Sequence, residues 1–201
     1  MNVRGAIMIV ALLIAGVGIL WAGTDGLQVI TAEGARRLAT QEKPKPLPAV
    51  LLTDQRGEAF RLQDFQGSHL LVEFIYTRCV TLCTSLGETF EEVARKLPDG
   101  TLGSRVHMVS ISFDPRDNTA NLKEYGERFE AVPDHWRIAR VESEEQLEQL
   151  LDTFGITVIP DKWGNFEHNA AVHFVNSQGY LDQIIDHAPP SKTLETLWKR
   201  L

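Results

Sequence analysis

The run HLLVEFIYT, residues 69–77, is almost continuously apolar, and only Arg78 separates it from Cys79. A run of this length fits a central strand buried on both faces. Such a strand needs a covering layer above and below, and here the covering segments carry helical periodicity. That combination points to an α/β fold.

The flanking segments fill in the order. AVLLTD and EAFRLQDF on either side of Gln55-Arg56-Gly57 predict a short N-terminal hairpin. Ser85-x-x-Glu88 resembles a capping box, and Leu86, Phe90, Val93 and Leu97 mark one helical face. RVHMVSISF predicts a second strand, Asp117 or Asn118 the cap of a helix through Phe129, and HWRIARV a third strand. A helix is expected from Glu142 to Phe154, then a loop over ITVIPDKWGNFEHN. AAVHFV and YLDQII around Asn176-Ser177-Gln178-Gly179 read as a closing hairpin, and a helix finishes the chain from Pro190. Strands and helices alternate first and a hairpin ends the sheet. The order matches a thioredoxin-like mixed β-sheet flanked by helices, with an added N-terminal β-hairpin.

The 201 residues, 43% hydrophobic and 23% charged, suit one globular domain with extensions. A formal net charge of −7 without a basic block excludes a nucleic-acid footprint. Residues 5–24 contain no charged side chain. As a helix at ~1.5 Å per residue they would reach about 30 Å, a bilayer core, with Trp21 at the interface. The alternative, a cleaved signal peptide, lacks a small residue at Leu20 in the exit LWAGTDG. Residues 1–24 are therefore expected to be a single-pass transmembrane anchor. Arg4 and the α-amine favour the N-terminus inside, against a weaker opposing pull from Arg36 and Arg37. In a bacterium that puts the domain on the periplasmic side of the inner membrane. Residues 25–48 read as a tether, with ITAEGARRLATQ as a short helix and QEKPKPLP as an extended spacer. The globular domain is expected over residues 49–201.

The two cysteines, Cys79 and Cys83, form a C-x-x-x-C at the strand-to-helix junction. Four residues apart on a helical turn, both sulfurs can face one ion. Amides at a helix N-terminus favour thiolates, the form that binds metal or attacks disulfides. Structural zinc would want four ligands, whereas Cu(I) suits sulfur with one imidazole. The competing readings are a redox-active pair, a peroxidatic cysteine, two inert buried thiols, or a local bridge, which would close only a very short loop.

The sequence resembles the SCO/SenC family, the copper proteins linked to cytochrome c oxidase assembly. The resemblance runs from about residue 48 to 201. It is carried by the lead-in LTDQRGEAFRLQDFQG, by VEFIYTRCVTLC, by SISFDPRDNT and by EHNAAVHFVNSQGYL. It implies one copper ion, Cu(I) or Cu(II), held by Cys79, Cys83 and His168. Asp114 matches a family aspartate near the site and is expected behind the ligands. The family's prolines after each cysteine are replaced by Val80 and Thr84.

The resemblance implies a metallochaperone, passing copper by ligand exchange to the dinuclear copper centre of cytochrome c oxidase. The alternative is a thiol–disulfide reductase acting on a partner's cysteines, which needs Cys79 and Cys83 but not His168. Against it, C-x-x-C is absent, as is a proline just before AAVHFV. The peroxidase reading lacks its Thr-x-x-Cys signature. Among the other histidines, His173 is a possible alternative ligand. His107 reads as structural, His69 and His135 as element-edge residues, and His187 as a loop residue.

Overall fold

The computed structural model describes residues 3–24, 31–79, 82–186 and 189–201, with the side chains of residues 3, 6, 82 and 83 outside the description. His187, expected in a loop, and Val80, one of the two departures from the family motif, lie outside the described residues.

Helices run over Val3–Gly23 (α1), Ala32–Glu42 (α2), Leu82–Lys96 (α3), Thr119–Arg128 (α4), Glu144–Phe154 (α5) and Pro190–Trp198 (α6). Strands are Lys45–Pro46 (β1), Leu52–Asp54 (β2), Ala59–Phe60 (β3), His69–Ile75 (β4), Val106–Ser112 (β5), Trp136–Val141 (β6), Val158–Pro160 (β7), Phe166–His168 (β8), Ala171–Val175 (β9) and Tyr180–Asp186 (β10). Among the described residues eight strands make one mixed sheet in the order β1-β10-β9-β4-β5-β6-β2-β3. β4, β5 and β6 are parallel, and β9 runs antiparallel to β4. The expected N-terminal hairpin is β2–β3, attached to the sheet through β2–β6.

β4 occupies the middle because both its faces are apolar. On one face Phe74 meets Phe154 of α5 at 5.1 Å. On the other lie Glu73, Ser110 and Trp136, with Trp136 against Phe90 of α3 at 5.7 Å. Parallel β4, β5 and β6 need crossover helices, and α3 and α4 provide them. This is the α/β sheet flanked by helices that the alternation implies.

Four expectations change. Ser85 does not cap α3. The helix starts at Leu82, directly after the cysteine loop, and the Ser85 carbonyl accepts from Thr89 Oγ1 within it. The stretch expected as a loop before His168 contains the separate two-stranded sheet β7–β8. Its turn is held by Asp161 Oδ1, which accepts from the amides of Trp163 and Asn165.

The segment read as a tether is seated on the domain where it is described. α2 places Arg36 on Asp186 at 2.6 Å and on the carbonyls of Phe154 and Gly155 at 3.2 Å. β1 pairs with β10. Gly155, left-handed at the end of α5, admits this contact: a Cβ there would lie 2.7 Å from Arg36 Cδ.

At the N-terminus α1 forms as a helix. Yet no helix among the described residues is long and apolar enough to cross a membrane. The single-pass anchor is thus not shown.

Candidate functional site

Cys79 follows β4 through a tight turn in which its amide donates to the Tyr76 carbonyl at 3.1 Å. The turn is pinned from beneath by Asp117. Its carboxylate accepts from the Thr77 amide at 2.9 Å, from Thr77 Oγ1 at 2.6 Å and from Ser112 Oγ at 2.5 Å. The ends of β4 and β5 are thereby tied together two residues before the cysteine. Cys79 is buried. Cys83 is the second residue of α3, in its first turn; its side chain lies outside the described residues.

His168 ends β8. Its ring stands edge-on to Phe113 at 5.0 Å and to Tyr76 at 6.3 Å. Phe166, two residues earlier on the same strand, packs on those two rings at 5.4 and 5.3 Å. Aromatic packing therefore seats the hairpin on the end of β4 and β5. Burial holds the His168 imidazole below its usual value; the charge of Cys79 and a hydrogen bond donated to the Asn169 backbone pull the other way. Tyr76 links the two segments, its ring meeting His168 and its carbonyl receiving the Cys79 amide, although 89 positions of chain numbering, 79 to 168, separate them. An imidazole and a cysteine sulfur together are a donor pair fit for a soft metal ion.

Asp114 is wholly buried and engaged. Its carboxylate receives Arg78 Nη2 at 2.5 Å, Arg116 Nε at 2.8 Å and Arg116 Nη2 at 2.9 Å. Burial would raise its pKa, but the arginine hydrogen bonds outweigh that and hold it below the usual carboxylate range. Through Arg78 it is tied to the residue before Cys79, and its oxygens are committed to cations.

His173 is on β9 and fully buried between Phe74 and Phe154 at 5.7 and 5.3 Å, with Nδ1 3.2 Å from the Val72 carbonyl. Burial pushes its pKa down to about 3. It is a core histidine facing α5, away from the Tyr76–Phe113–His168 group. Among the described residues no three His, Cys, Asp or Glu side chains gather as a metal-holding group; the Cys83 side chain is not among those searched.

Sequence reasoning weighed Asp117 only as a helix cap and passed over Arg78 and Arg116. The one available signal was charge density: SFDPRDN concentrates two acids and an arginine at the end of an apolar strand.

The SCO1/SenC family model matches residues 39–201. The SCO1 protein homolog of Bacillus subtilis is 25% identical over 129 residues, covering 63% of this chain and 66% of that protein. The mitochondrial SCO2 homolog of Mus musculus is 30% identical over 132 residues, 64% of this chain and 51% of its own. The chain thus spans about half to two-thirds of the length of these curated relatives. The structure of Bradyrhizobium japonicum ScoI with copper bound superposes with a TM-score of 0.65 at 23% identity, over 78% of this chain and 99% of that one. BsSco, described with a disulfide switch as a member of the Sco family of cytochrome c oxidase assembly proteins, superposes at 0.64 with 18% identity, over 79% and 94%. At these identities the superpositions show the fold, and the fold is the thioredoxin-like one read from the strand order. The match of the family model over most of the chain, the cysteine loop and the His168 hairpin included, settles descent: this chain belongs to the SCO1/SenC family.

Proposed function

We propose that this chain is a membrane-anchored copper chaperone that binds one copper ion through Cys79, Cys83 and His168 and passes it to the dinuclear copper centre of cytochrome c oxidase. One observation carries the reading: a hairpin from far along the chain seats the His168 ring on Tyr76 and Phe113, and the Tyr76 carbonyl receives the Cys79 amide. Cys83 adds the second sulfur from the first turn of α3, where helix amides favour a thiolate. With Asp114 neutralised by two arginines, the donors left for copper are the soft ones. Membership of a family of copper delivery and cytochrome c oxidase assembly supports the same reading. Delivery is ligand exchange, a partner's donors replacing these one at a time.

The anchor is α1. Its apolar side chains are exposed, from Ile7 through Trp21, a surface that favours an apolar surrounding. The domain then faces the extracytoplasmic side.

The test titrates the reduced full-length chain in detergent with Cu(I) and Cu(II), in parallel with His168→Ala. The expected result is one equivalent of copper for the parent and affinity at least about tenfold weaker for the variant. Equal affinity would remove His168 from the ligand set. Disulfide turnover on a partner, unchanged in the variant and without copper binding, would instead support the thiol–disulfide reductase reading. That reading shares the helix-start position of Cys83.

A further inference from the structure

His168 stands on a hairpin outside the main sheet. β7 and β8 pair only with each other among the described residues, so no ladder hydrogen bonds fix them to the eight-stranded sheet. At the base of the hairpin Asn169 ties in, accepting from the Thr157 amide at 2.8 Å and donating to the Gly155 carbonyl at 2.9 Å. At the turn the polar link is Arg116. Its Nη2 donates to the Gly164 carbonyl at 2.5 Å, and its guanidinium lies over the Phe166 ring at 5.3 Å. The same guanidinium forks onto Asp114, which also receives Arg78, the residue before Cys79. Gly164 suits this contact. It has a left-handed φ of +83°, and a Cβ there would meet Arg116 Nη1 at 3.0 Å.

One carboxylate therefore joins the cysteine loop, through Arg78, to the histidine hairpin, through Arg116. We propose that Arg116 is a positioning residue for the copper site: bridging Asp114 to Gly164 and Phe166, it clasps the β7–β8 hairpin against the cysteine loop and so sets how His168 meets the ion. This rests on the ligand set proposed above.

The geometry needs arginine. Two edges of the guanidinium are in use at once, Nε and Nη2 toward Asp114 and Nη2 toward Gly164, while its flat face covers Phe166. An ammonium can pair with Asp114 but cannot span all three. Hydrogen bonds to a charged donor are among the stronger ones, and Asp114 stays buried when the donor is removed. The clasp is half open to water on the Arg116 side.

The test uses the full-length chain with Arg116→Ala and Arg116→Lys. In the metal-free protein, hydrogen exchange of the amides over residues 158–168 should quicken about tenfold in the alanine variant, while β4 and β5 exchange as before. Loaded with Cu(II), the alanine variant should lose or alter the imidazole nitrogen signature in its electron paramagnetic resonance spectrum. It should also release copper to a chelator about tenfold faster. Lysine should restore part of the exchange protection but not the spectrum. Unchanged hairpin exchange in the alanine variant would overturn the clasp. Faster exchange with an unaltered spectrum and release rate would leave a merely structural contact and overturn the positioning role. A parent chain that takes up no copper would sink the ligand reading, and the exchange measurement would still decide the clasp.

Discussion

Asp117 holds the ends of β4 and β5 together beneath the turn that leads to Cys79. Replacing it with alanine strips acceptors from the Thr77 amide, Thr77 Oγ1 and Ser112 Oγ, all buried. Each orphaned buried donor costs ~1–3 kcal/mol, so Asp117→Ala should destabilise the domain by about 3 kcal/mol or more in urea unfolding. An effect below about 1 kcal/mol would mean that water replaces the carboxylate. Glu73 sets a different condition. It lies in the middle of β4, fully buried, with Oε1 accepting from Ser110 Oγ at 2.5 Å and Oε2 without a hydrogen bond. Burial pushes its pKa up to about 8, with the Ser110 hydrogen bond pulling weakly the other way. The group is therefore neutral at neutral pH. The folded chain then binds a proton that the unfolded chain has released, between the ordinary carboxyl value of 4.5 and about 8. Its contribution to stability is complete below the lower limit and falls away as pH rises to the upper one. Glu73→Gln removes this titration, so stability measured at pH 5 and pH 8 should fall less in the variant than in the parent, with the variant the more stable at pH 8. Parallel pH profiles would show that the acid ionises without cost.

At the scale of elements, the parts legible in the sequence are those governed by local periodicity. β4, β5, β6 and the β9–β10 hairpin fall where their apolar runs lie, and α4 begins at the Asn118 cap that the sequence offers beside Asp117. The Asn118 side chain accepts from the amides of Ala120 and Asn121, while its own amide donates to Asn121 Oδ1. Asn118→Ala should cost about 1 kcal/mol, read by thermal unfolding, with Asn118→Asp near neutral. A loss as large as that expected for Asp117→Ala would show that the two neighbours act as one unit. The elements that were not legible are set by distant contacts. The start of α3 is fixed by the cysteine loop rather than by Ser85. β7 and β8 are too short for a periodic signal, and they form because Phe166 and His168 find Tyr76 and Phe113. The same limit applies to the site. Cys79 and Cys83 stand out by their spacing, and His168 by resemblance, but the arginines that join their segments to Asp114 leave no pattern along the chain.

The whole molecule depends on how the N-terminal segment meets the domain. Spacing and composition make residues 25–48 read as a connector, yet α2 spreads over β10. Arg36 and Arg37 both reach Asp186, Thr40 is buried, and Leu47 belongs to the core. Arg36 has a side chain only 13% exposed, and Asp186 one only 12% exposed. Removing one side of a pair this sheltered costs more than breaking a surface ion pair, because the other charge stays behind. β10 would also lose β1 and become an open edge. A chain beginning at Thr31 should therefore fold with nearly the stability of the full protein, whereas one beginning at Ala49 should be less stable by about 3 kcal/mol or more and more prone to associate. Urea unfolding of the two, with sedimentation to read association, decides it. Equal stability would return this segment to the role of a passive connector.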